Sequence, residues 1–490
     1  MDLRRNIHSL LREIGPGQQI TRSAYDTAWV ARLAEVGEPI GEQALEWLRS
    51  HQLVDGSWGT THIRYHHERL VCTLAAMIAL ARQQNRRDII RLQRARLALE
   101  LAAKGLEADP AGETVGFEMI VPTLVTEARA LGLLDGWSDT TLERLVHYRQ
   151  AKLAALRGHR INRQVTIAFS AEMVGPDGLH LLDVENLQEE NGTVSYSPAA
   201  TAFFALYVRR QDPRALGFLD RFAIDGAVPY VVPIDVFERA WPLWNLALAG
   251  QLDQETLALC EPHLDFLESA WIPGKGIASI KGLALTDGDD TGITFDVLTR
   301  FGREGHLDGV LYYEENEHFR CYGLEANPSI SANVHILGAL RQAGLGVESP
   351  PVHKILRFLQ QTQTLRLFWF DKWHISPYYP TAHAVIACAG FADELVEDAV
   401  YWLLETQNPD GSWGYYLPTA EETAYCLQAL VLWKRHNHSV SRDVLKRGAA
   451  WLADHMEPPY LPLWIGKCLY CPELVVRSAI LGALLAVEQE

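Results

Sequence analysis

Three observations predict an all-α fold. Apolar residues recur at helical spacing through nearly every long segment, as in Arg69-Leu70-Val71-Cys72-Thr73-Leu74-Ala75-Ala76-Met77-Ile78 and from Ala420 to Trp433. Strand-like alternation of apolar and polar residues is scarce. The apolar runs are separated by Gly, Pro and Asp punctuation such as Pro409-Asp410-Gly411.

Taken from the N-terminus, Met1-Asp2-Leu3-Arg4-Arg5-Asn6-Ile7-His8 lacks the apolar core of a signal peptide. No run approaches the roughly 18 apolar residues of a membrane span. The 490 residues suit two or three domains with sizeable cores. With 14 Trp and 17 Tyr, the chain can wall a cavity with aromatic rings. A net charge of −17 and a pI of about 5.5 argue against a nucleic-acid partner or an anionic membrane surface. An anionic ligand must then be met by local cations or a metal. Seven cysteines, an odd number scattered through helical patterns, point to reduced thiols and a cytoplasmic protein. Cys468-Leu469-Tyr470-Cys471 has redox or zinc spacing, but no second pair accompanies it and it reads as structural.

A repeat is present. Trp47-Leu48 and Gln52-Leu53-Val54-Asp55-Gly56-Ser57-Trp58-Gly59 recur as Trp402-Leu403 and Gln407-Asn408-Pro409-Asp410-Gly411-Ser412-Trp413-Gly414. Each copy ends one helix, turns on Asp-Gly and precedes a second apolar helix. Gln188-Glu189-Glu190-Asn191-Gly192-Thr193-Val194 looks like a degenerate third copy. One such unit cannot bury its apolar face alone, so units stack. The separation of the two good copies predicts one barrel-like domain in each half.

Leu285-Thr286-Asp287-Gly288-Asp289-Asp290-Thr291-Gly292 carries the chemistry. Three carboxylates within four residues are costly unless water, a metal or a proton relieves the repulsion. Gly282-Leu283-Ala284-Leu285 precedes them, and Ile293-Thr294-Phe295-Asp296-Val297-Leu298 reads as a helix entering a core, so the cluster belongs to a cavity wall. A calcium loop fails, because the twelfth position from Asp287 is Leu298 rather than Glu. Two readings stay open on these residues alone. Asp290 or Thr291 caps the helix while the other acids decorate its positive end. Alternatively Asp289, crowded by Asp287 and Asp290, keeps a proton at neutral pH and can give it even to an alkene.

The Gln-x3-Gly-x-Trp repeats together with Asp-x-Asp-Asp-Thr resemble class II terpene cyclases. Ser23-Ala24-Tyr25-Asp26-Thr27-Ala28-Trp29-Val30-Ala31 resembles the opening motif of diterpene cyclases. The likeness continues through Val115-Gly116-Phe117-Glu118, Tyr196-Ser197-Pro198, Asp371-Lys372-Trp373 and Leu463-Trp464-Ile465-Gly466-Lys467, and resembles bacterial enzymes making halimadienyl (tuberculosinyl) or kolavenyl-type diphosphates. It implies two α/α barrels: a γ barrel at residues 20–230, inserted after a first helix (1–19) that belongs to the β barrel of 231–490, with the cavity between them. The chain is too short for an added class I domain. It also lacks Asp-Asp-x-x-Asp, since Ile293 stands at the fifth position, so the product is expected to keep its diphosphate. A downstream diterpene-modifying enzyme is the expected partner in metabolism.

The resemblance also implies roles. Asp289 is the general acid that protonates the terminal alkene of an all-trans prenyl diphosphate, and it needs a dry pocket. Asp287 and Asp290 orient it, and Asn333, in Ser331-Ala332-Asn333-Val334-His335, matches the position that hydrogen-bonds it. Carbocations are stabilised by aromatic faces, each worth on the order of 1–2 kcal/mol when desolvated; the candidates are Trp369, Trp373, Tyr378 and Tyr379. The diphosphate needs Mg²⁺ and cations. Glu118 aligns with the γ-domain acid, Glu107, Asp109 and Glu113 form a weakened acidic motif, and Lys152 and Lys372 are the cations. For Glu107 and Asp109, a solvated loop acid is the competing reading, whereas an idle Glu118 in an apolar stretch would be expensive.

Termination departs from the family. Plant enzymes making ent-copalyl diphosphate use a Leu-His-Ser and a Pro-Asn-Val tripeptide to position the basic water. Here the matching stretches read Ala168-Phe169-Ser170 and Pro229-Tyr230-Val231. Phe169 has no lone pair, so the bicyclic cation persists and a rearranged halimane or clerodane skeleton is expected from geranylgeranyl diphosphate. Rival readings are a copalyl-type or class II sesquiterpene (drimenyl) cyclase and a non-catalytic α/α barrel that binds prenyl chains or proteins. The last gives no reason for three crowded acids. A prenyltransferase subunit would need a zinc triad of Asp, Cys and His, for which the sequence offers no convincing set.

Overall fold

A computed structural model of the chain describes residues 2–15, 20–134, 139–323, 325, 327–436 and 438–490. The expected boundary after residue 19 falls on residues 16–19, which lie outside the described residues.

The helices arrange as two rings of inner and outer elements. In the larger ring the inner helices are Phe237–Ala249, Gly288–Arg300, Ile330–Gln342, Tyr378–Cys388, Ala420–Arg435 and Glu473–Glu488. Each packs on the next and the last returns to the first. These helices are apolar on nearly every face, as ELVVRSAILGALLAVE at Glu473–Glu488 illustrates, because both sides are buried. The intervening helices, such as Pro350–Thr362, Asp393–Glu405 and Arg442–Asp454, are amphipathic and coat the outside. The amphipathic helix Leu3–Glu13 packs on Gln254–Ala270 and Glu473–Glu488 and completes this outer layer.

The smaller ring closes through Ala24–Ala31, His66–Arg82, Phe117–Ala130, the 3-10 segment Thr166–Val174 and Pro198–Phe203. Pro39–Ser50, Ile89–Gly105, Asp139–Ala155 and Pro213–Phe222 lie outside it. The fold is all-α, with a double α/α barrel. Two hydrophobic cores follow the rings, and a two-stranded hairpin, Trp464–Ile465 with Leu469–Tyr470, joins them. Trp464 and Tyr470 belong to the larger core, while Cys468 belongs to the smaller one. At the hairpin tip the Lys467 ammonium is fully buried and donates to Glu172 Oε1 at 2.6 Å and Ser197 Oγ at 2.8 Å.

One device recurs around both rings. The indole N–H of Trp58 donates to the carbonyl of Leu48, and Trp413 does the same to Leu403. Gln52, Gln188 and Gln407 each donate to the carbonyl four residues on, at Gly56, Gly192 and Gly411. These glycines have φ of +91°, +91° and +98°, and an added Cβ would strike the backbone of the next outer helix at 2.5–2.9 Å. An inner-helix hydroxyl then accepts the backbone N–H of the wedge residue: Thr73 from Trp58, Thr201 from Val194, Thr423 from Trp413.

Trp369 is a further copy that the sequence reading placed in the cavity. Its indole donates to Leu359 at 2.8 Å, its own N–H donates to Thr381 Oγ1, and it is fully buried. It is a wedge between helices, so the expectation that it faces a carbocation is corrected.

Candidate active site

The acidic segment starts an inner helix, Gly288–Arg300. Asp287 is its N-cap, accepting the Asp290 N–H at 2.8 Å and the Tyr322 hydroxyl at 3.3 Å. Gly288 and Gly292 allow the helix to lie against its neighbours: an added Cβ at 288 would meet the Arg320 carbonyl oxygen at 2.4 Å, and one at 292 the His335 backbone at 3.0 Å. The Asp287 and Asp290 carboxyls crowd one another in a buried site. Burial, with the Asp289 charge adding, pushes Asp287 up to about 7. Burial and the Asp287 charge hold Asp290 well above the ordinary carboxylate range. One proton therefore stays within this pair. The cap is therefore Asp287 rather than the expected Asp290 or Thr291, whose hydroxyl bonds the Ile277 backbone instead, and the crowding falls on Asp287 and Asp290.

Asp289 is 9% exposed and stands apart from that pair. Its Oδ1 meets His335 Nδ1 at 2.5 Å, and His335 Nε2 meets His383 Nδ1 at 2.8 Å. The expected partner was Asn333. Instead the Asn333 amide accepts the Phe319 N–H at 2.8 Å and donates to the carbonyls of Phe319 and Ser329. Asn333 stands four residues after its helix cap, as Thr423 does, and serves the same wedge-holding purpose. The contact with the acid belongs to His335, two residues further along the same helix. His335 and His383 were missed because a single His in an apolar helix resembles an ordinary core residue. The signal was a pair of them, each in an inner helix.

Asp287, Asp289 and Asp290 border a cavity of about 200 Å³ between the two cores. Its walls are mostly apolar: Phe169, Tyr230, Ile234, Phe237, Tyr322, Trp373, Trp464 and Tyr470 all take part. Phe169 and Tyr230 meet edge to face at 6.1 Å. Burial pushes the Tyr230 hydroxyl well above its ordinary value. The Lys467 ammonium sits 4.6 Å from the Phe169 ring centroid. Of the aromatic candidates, Trp373 lines the cavity. Tyr378 does not; it stacks on Trp402 at 4.7 Å, a packing role. Tyr379 lies behind the wall, stacked on His374 and 6.3 Å from His335.

At the rim, Lys372 pairs with Glu325, donates to the Asn327 carbonyl and lies 5.0 Å over Trp373. Lys152 pairs with Glu118, and Val115 between Glu113 and Glu118 reaches the cavity wall. Burial raises Glu113 above its ordinary value, and the Glu118 charge raises it further. That crowding is the kind a cation relieves. Asp109 is engaged elsewhere: it accepts the His67 N–H and meets His67 Nδ1, both at 2.8 Å, tying a loop to the His66–Arg82 helix. Its expected place among metal ligands is corrected on that geometry. Among the described residues, no group of three or more His, Cys, Asp or Glu is arranged to hold a metal unaided.

A type B diterpene cyclase of Mycobacterium tuberculosis is 44% identical over 98% of this chain and 98% of its own. The chain belongs to the class II diterpene cyclases. A (+)-kolavenyl diphosphate synthase of Herpetosiphon aurantiacus is 29% identical over 98% of the cyclase and 97% of its own length. The squalene-hopene cyclase C-terminal domain family matches residues 323–457. Among solved structures, ent-copalyl diphosphate synthase from Streptomyces platensis superimposes with a TM-score of 0.78 at 28% identity, covering 99% of each chain. No helix among the described residues is long and apolar enough to cross a membrane.

Proposed function

We propose that the cyclase converts all-trans geranylgeranyl diphosphate into a rearranged bicyclic diphosphate of halimane or clerodane type, with Asp289 as the general acid. The observation that carries this reading is the position of Asp289, at the end of a mostly apolar cavity and held by His335. An alkene is a very weak base, so the acid must act where water does not level its proton. Asp287 and Asp290 keep one proton between them and fix the helix end. As Asp289 loses its proton, the N–H of His335 stabilises the carboxylate left behind. The cation then meets the faces of Trp373, Phe237, Tyr322 and Trp464.

The reading divides the chain at 20 and 231, with substrate held between the two barrels. Lys152 and Lys372 take the diphosphate. Glu113 and Glu118 suit Mg²⁺, which is commonly held by one or two carboxylates plus phosphate oxygens. Held there, Mg²⁺ would supply charge neutralisation at the diphosphate. The product is released with its diphosphate intact and passes to a separate enzyme.

Support for a rearranged skeleton comes from Phe169 and Tyr230. Phe169 offers no lone pair to a water, and the Lys467 ammonium over its ring is tied to Glu172 and Ser197, so it supplies no base there either. Prompt deprotonation is disfavoured there, which leaves time for hydride and methyl shifts. Incubating the purified protein with geranylgeranyl diphosphate and Mg²⁺, removing phosphate enzymatically and reading the alcohol by mass spectrometry and NMR tests this. A cyclic C20 alcohol with a migrated methyl is expected; unrearranged copalol as the sole product contradicts the skeleton.

A further inference from the structure

The helix Ile89–Gly105 lies on the outside of the smaller ring, yet it is apolar on two faces. Ala95, Ala98, Leu99 and Ala102 are buried, and the helix packs on His66–Arg82. On the opposite face Ile90, Leu97 and Leu101 are 70%, 64% and 58% exposed. Residues seven and eleven positions on return to the same side of an α-helix, so these three form a stripe. Arg94 stands in that stripe and donates to the carbonyls of Leu53 and Val54, which brings the turn bearing Val54, 98% exposed, against it. No other helix among the described residues carries more than one large exposed apolar side chain. An outer helix normally turns polar groups to water, and adjoining exposed apolar residues mark a binding face.

Cations frame the stripe. Arg86, Arg87, Arg91, Arg94, Arg96 and Lys104 lie along the helix and the turn before it, against only Asp88 and Glu100, a surplus of four positive charges. Asp88 is buried beneath Arg49, Glu100 lies 4.0 Å from Arg96, and Arg87 pairs with Glu46 of the neighbouring helix. At the Leu101 end, a recess of about 20 Å³ is lined by Leu101, Arg64, His66, Arg69 and Asp55. Asp55 pairs with Arg64 at 3.0 Å. Arg69 is buried and engaged through its terminal nitrogens, but its Nε has no partner among the described residues. An Arg Nε–H can only donate, so the recess suits one anionic oxygen. The net charge of −17 belongs to the whole surface, whereas salt confines each charge to about 10 Å, so this face acts as a cationic one.

We propose that this face docks on an anionic phospholipid surface, with the aliphatic stripe in the headgroup layer and the cations on lipid phosphates. Aliphatic side chains set among Arg and Lys are the pattern of helices that lie in the plane of a membrane interface. A protein partner is usually gripped through aromatic residues, and this stripe has none. A second copy meeting the face across a two-fold axis would bring like charges together. The choice of lipid also rests on the proposed function: a C20 chain carrying a diphosphate partitions into bilayers.

A short stretch of chain joins this face to the cavity. Gly105 ends the helix, and Val115 is already in the cavity wall. Tyr65, next to His66 of the recess, donates its hydroxyl to the Gly112 carbonyl, and His67 holds Asp109 at 2.8 Å. The segment that carries Glu113 toward Glu118 is thus anchored on the residues beside the recess. Docking there places the bilayer at the start of the segment that bears the proposed diphosphate ligands.

Sedimentation of the purified full chain with lipid vesicles tests the docking and needs no turnover. With vesicles of phosphatidylcholine and phosphatidylglycerol in equal parts, the protein is expected in the pellet at low salt. At high salt, or with phosphatidylcholine alone, it should stay in the supernatant. Leu97→Gln/Leu101→Gln changes two exposed side chains, so it should melt like wild type and turn over detergent-dispersed geranylgeranyl diphosphate equally well. Its binding to the anionic vesicles should be at least about tenfold weaker. Arg64→Gln/Lys104→Gln should weaken binding at low salt by about the same factor. Wild type left in the supernatant, or binding that neither pair alters, would overturn the proposal. So would a wild-type dimer in solution that Leu97→Gln/Leu101→Gln dissolves, which would give the face to a second copy. Asp289→Ala, which removes the proposed acid, should bind vesicles as wild type does, keeping the docking and the acid assignment apart.

Discussion

Asp287, Asp289 and Asp290 are chemically alike and almost adjacent, yet each meets a different environment. Asp287 caps a helix and Asp290 shares its proton, whereas Asp289 alone has an imidazole at 2.5 Å. The crowding that makes one of them hold a proton is readable in the sequence, because it follows from charge and spacing. The partner is not: Asn333 and His335 are two residues apart, and only the helix's packing decides which side chain reaches Asp289. Phe169 makes the residue-scale prediction. Phe169→His places a nitrogen able to hold a water where the wall is now apolar. Product should shift from the rearranged skeleton toward copalyl diphosphate, seen in the methyl pattern of the dephosphorylated alcohol, and an unchanged profile would count against a role for this position in termination.

Helices in both rings are spaced by one repeated arrangement of indole, glutamine, glycine and hydroxyl. The copies at Trp58 and Trp413 keep every part and are legible. The copy at Trp369 has lost the Asp-Gly turn and keeps only the spacing from Gln363, so its tryptophan passes for a cavity wall. Asn333 is disguised in the same way, being an amide where other copies have Thr. Asn333→Thr should therefore preserve the acceptor for Phe319 and leave turnover within about threefold of wild type. Asn333→Leu should destabilise the protein by about 1–3 kcal/mol, since the Phe319 N–H is left buried and unpaired. Thermal melts and steady-state rates on both variants decide this. Loss of turnover in a fully folded Asn333→Thr protein would return Asn333 to the acid's side.

At the scale of the whole molecule, neither barrel makes the cavity alone. The smaller ring contributes Val115, Thr166 and Phe169, the larger contributes the acid and most aromatic faces, and the hairpin at Trp464–Tyr470 lies between. Lys467 ties this joint together through Glu172 and Ser197. The two-barrel plan is legible from repeats in both halves of the chain. The joint is not, because it depends on a short hairpin whose tip inserts a charged side chain into the other barrel's core. The account's central claim is that this enclosed space serves protonation by Asp289. The most direct measurement compares wild type with Asp289→Ala on geranylgeranyl diphosphate, reading cyclic C20 alcohol after dephosphorylation. We expect cyclisation to fall by at least about 10²–10⁴ in a variant that melts like wild type. Equal amounts of cyclic product from both proteins would contradict the claim.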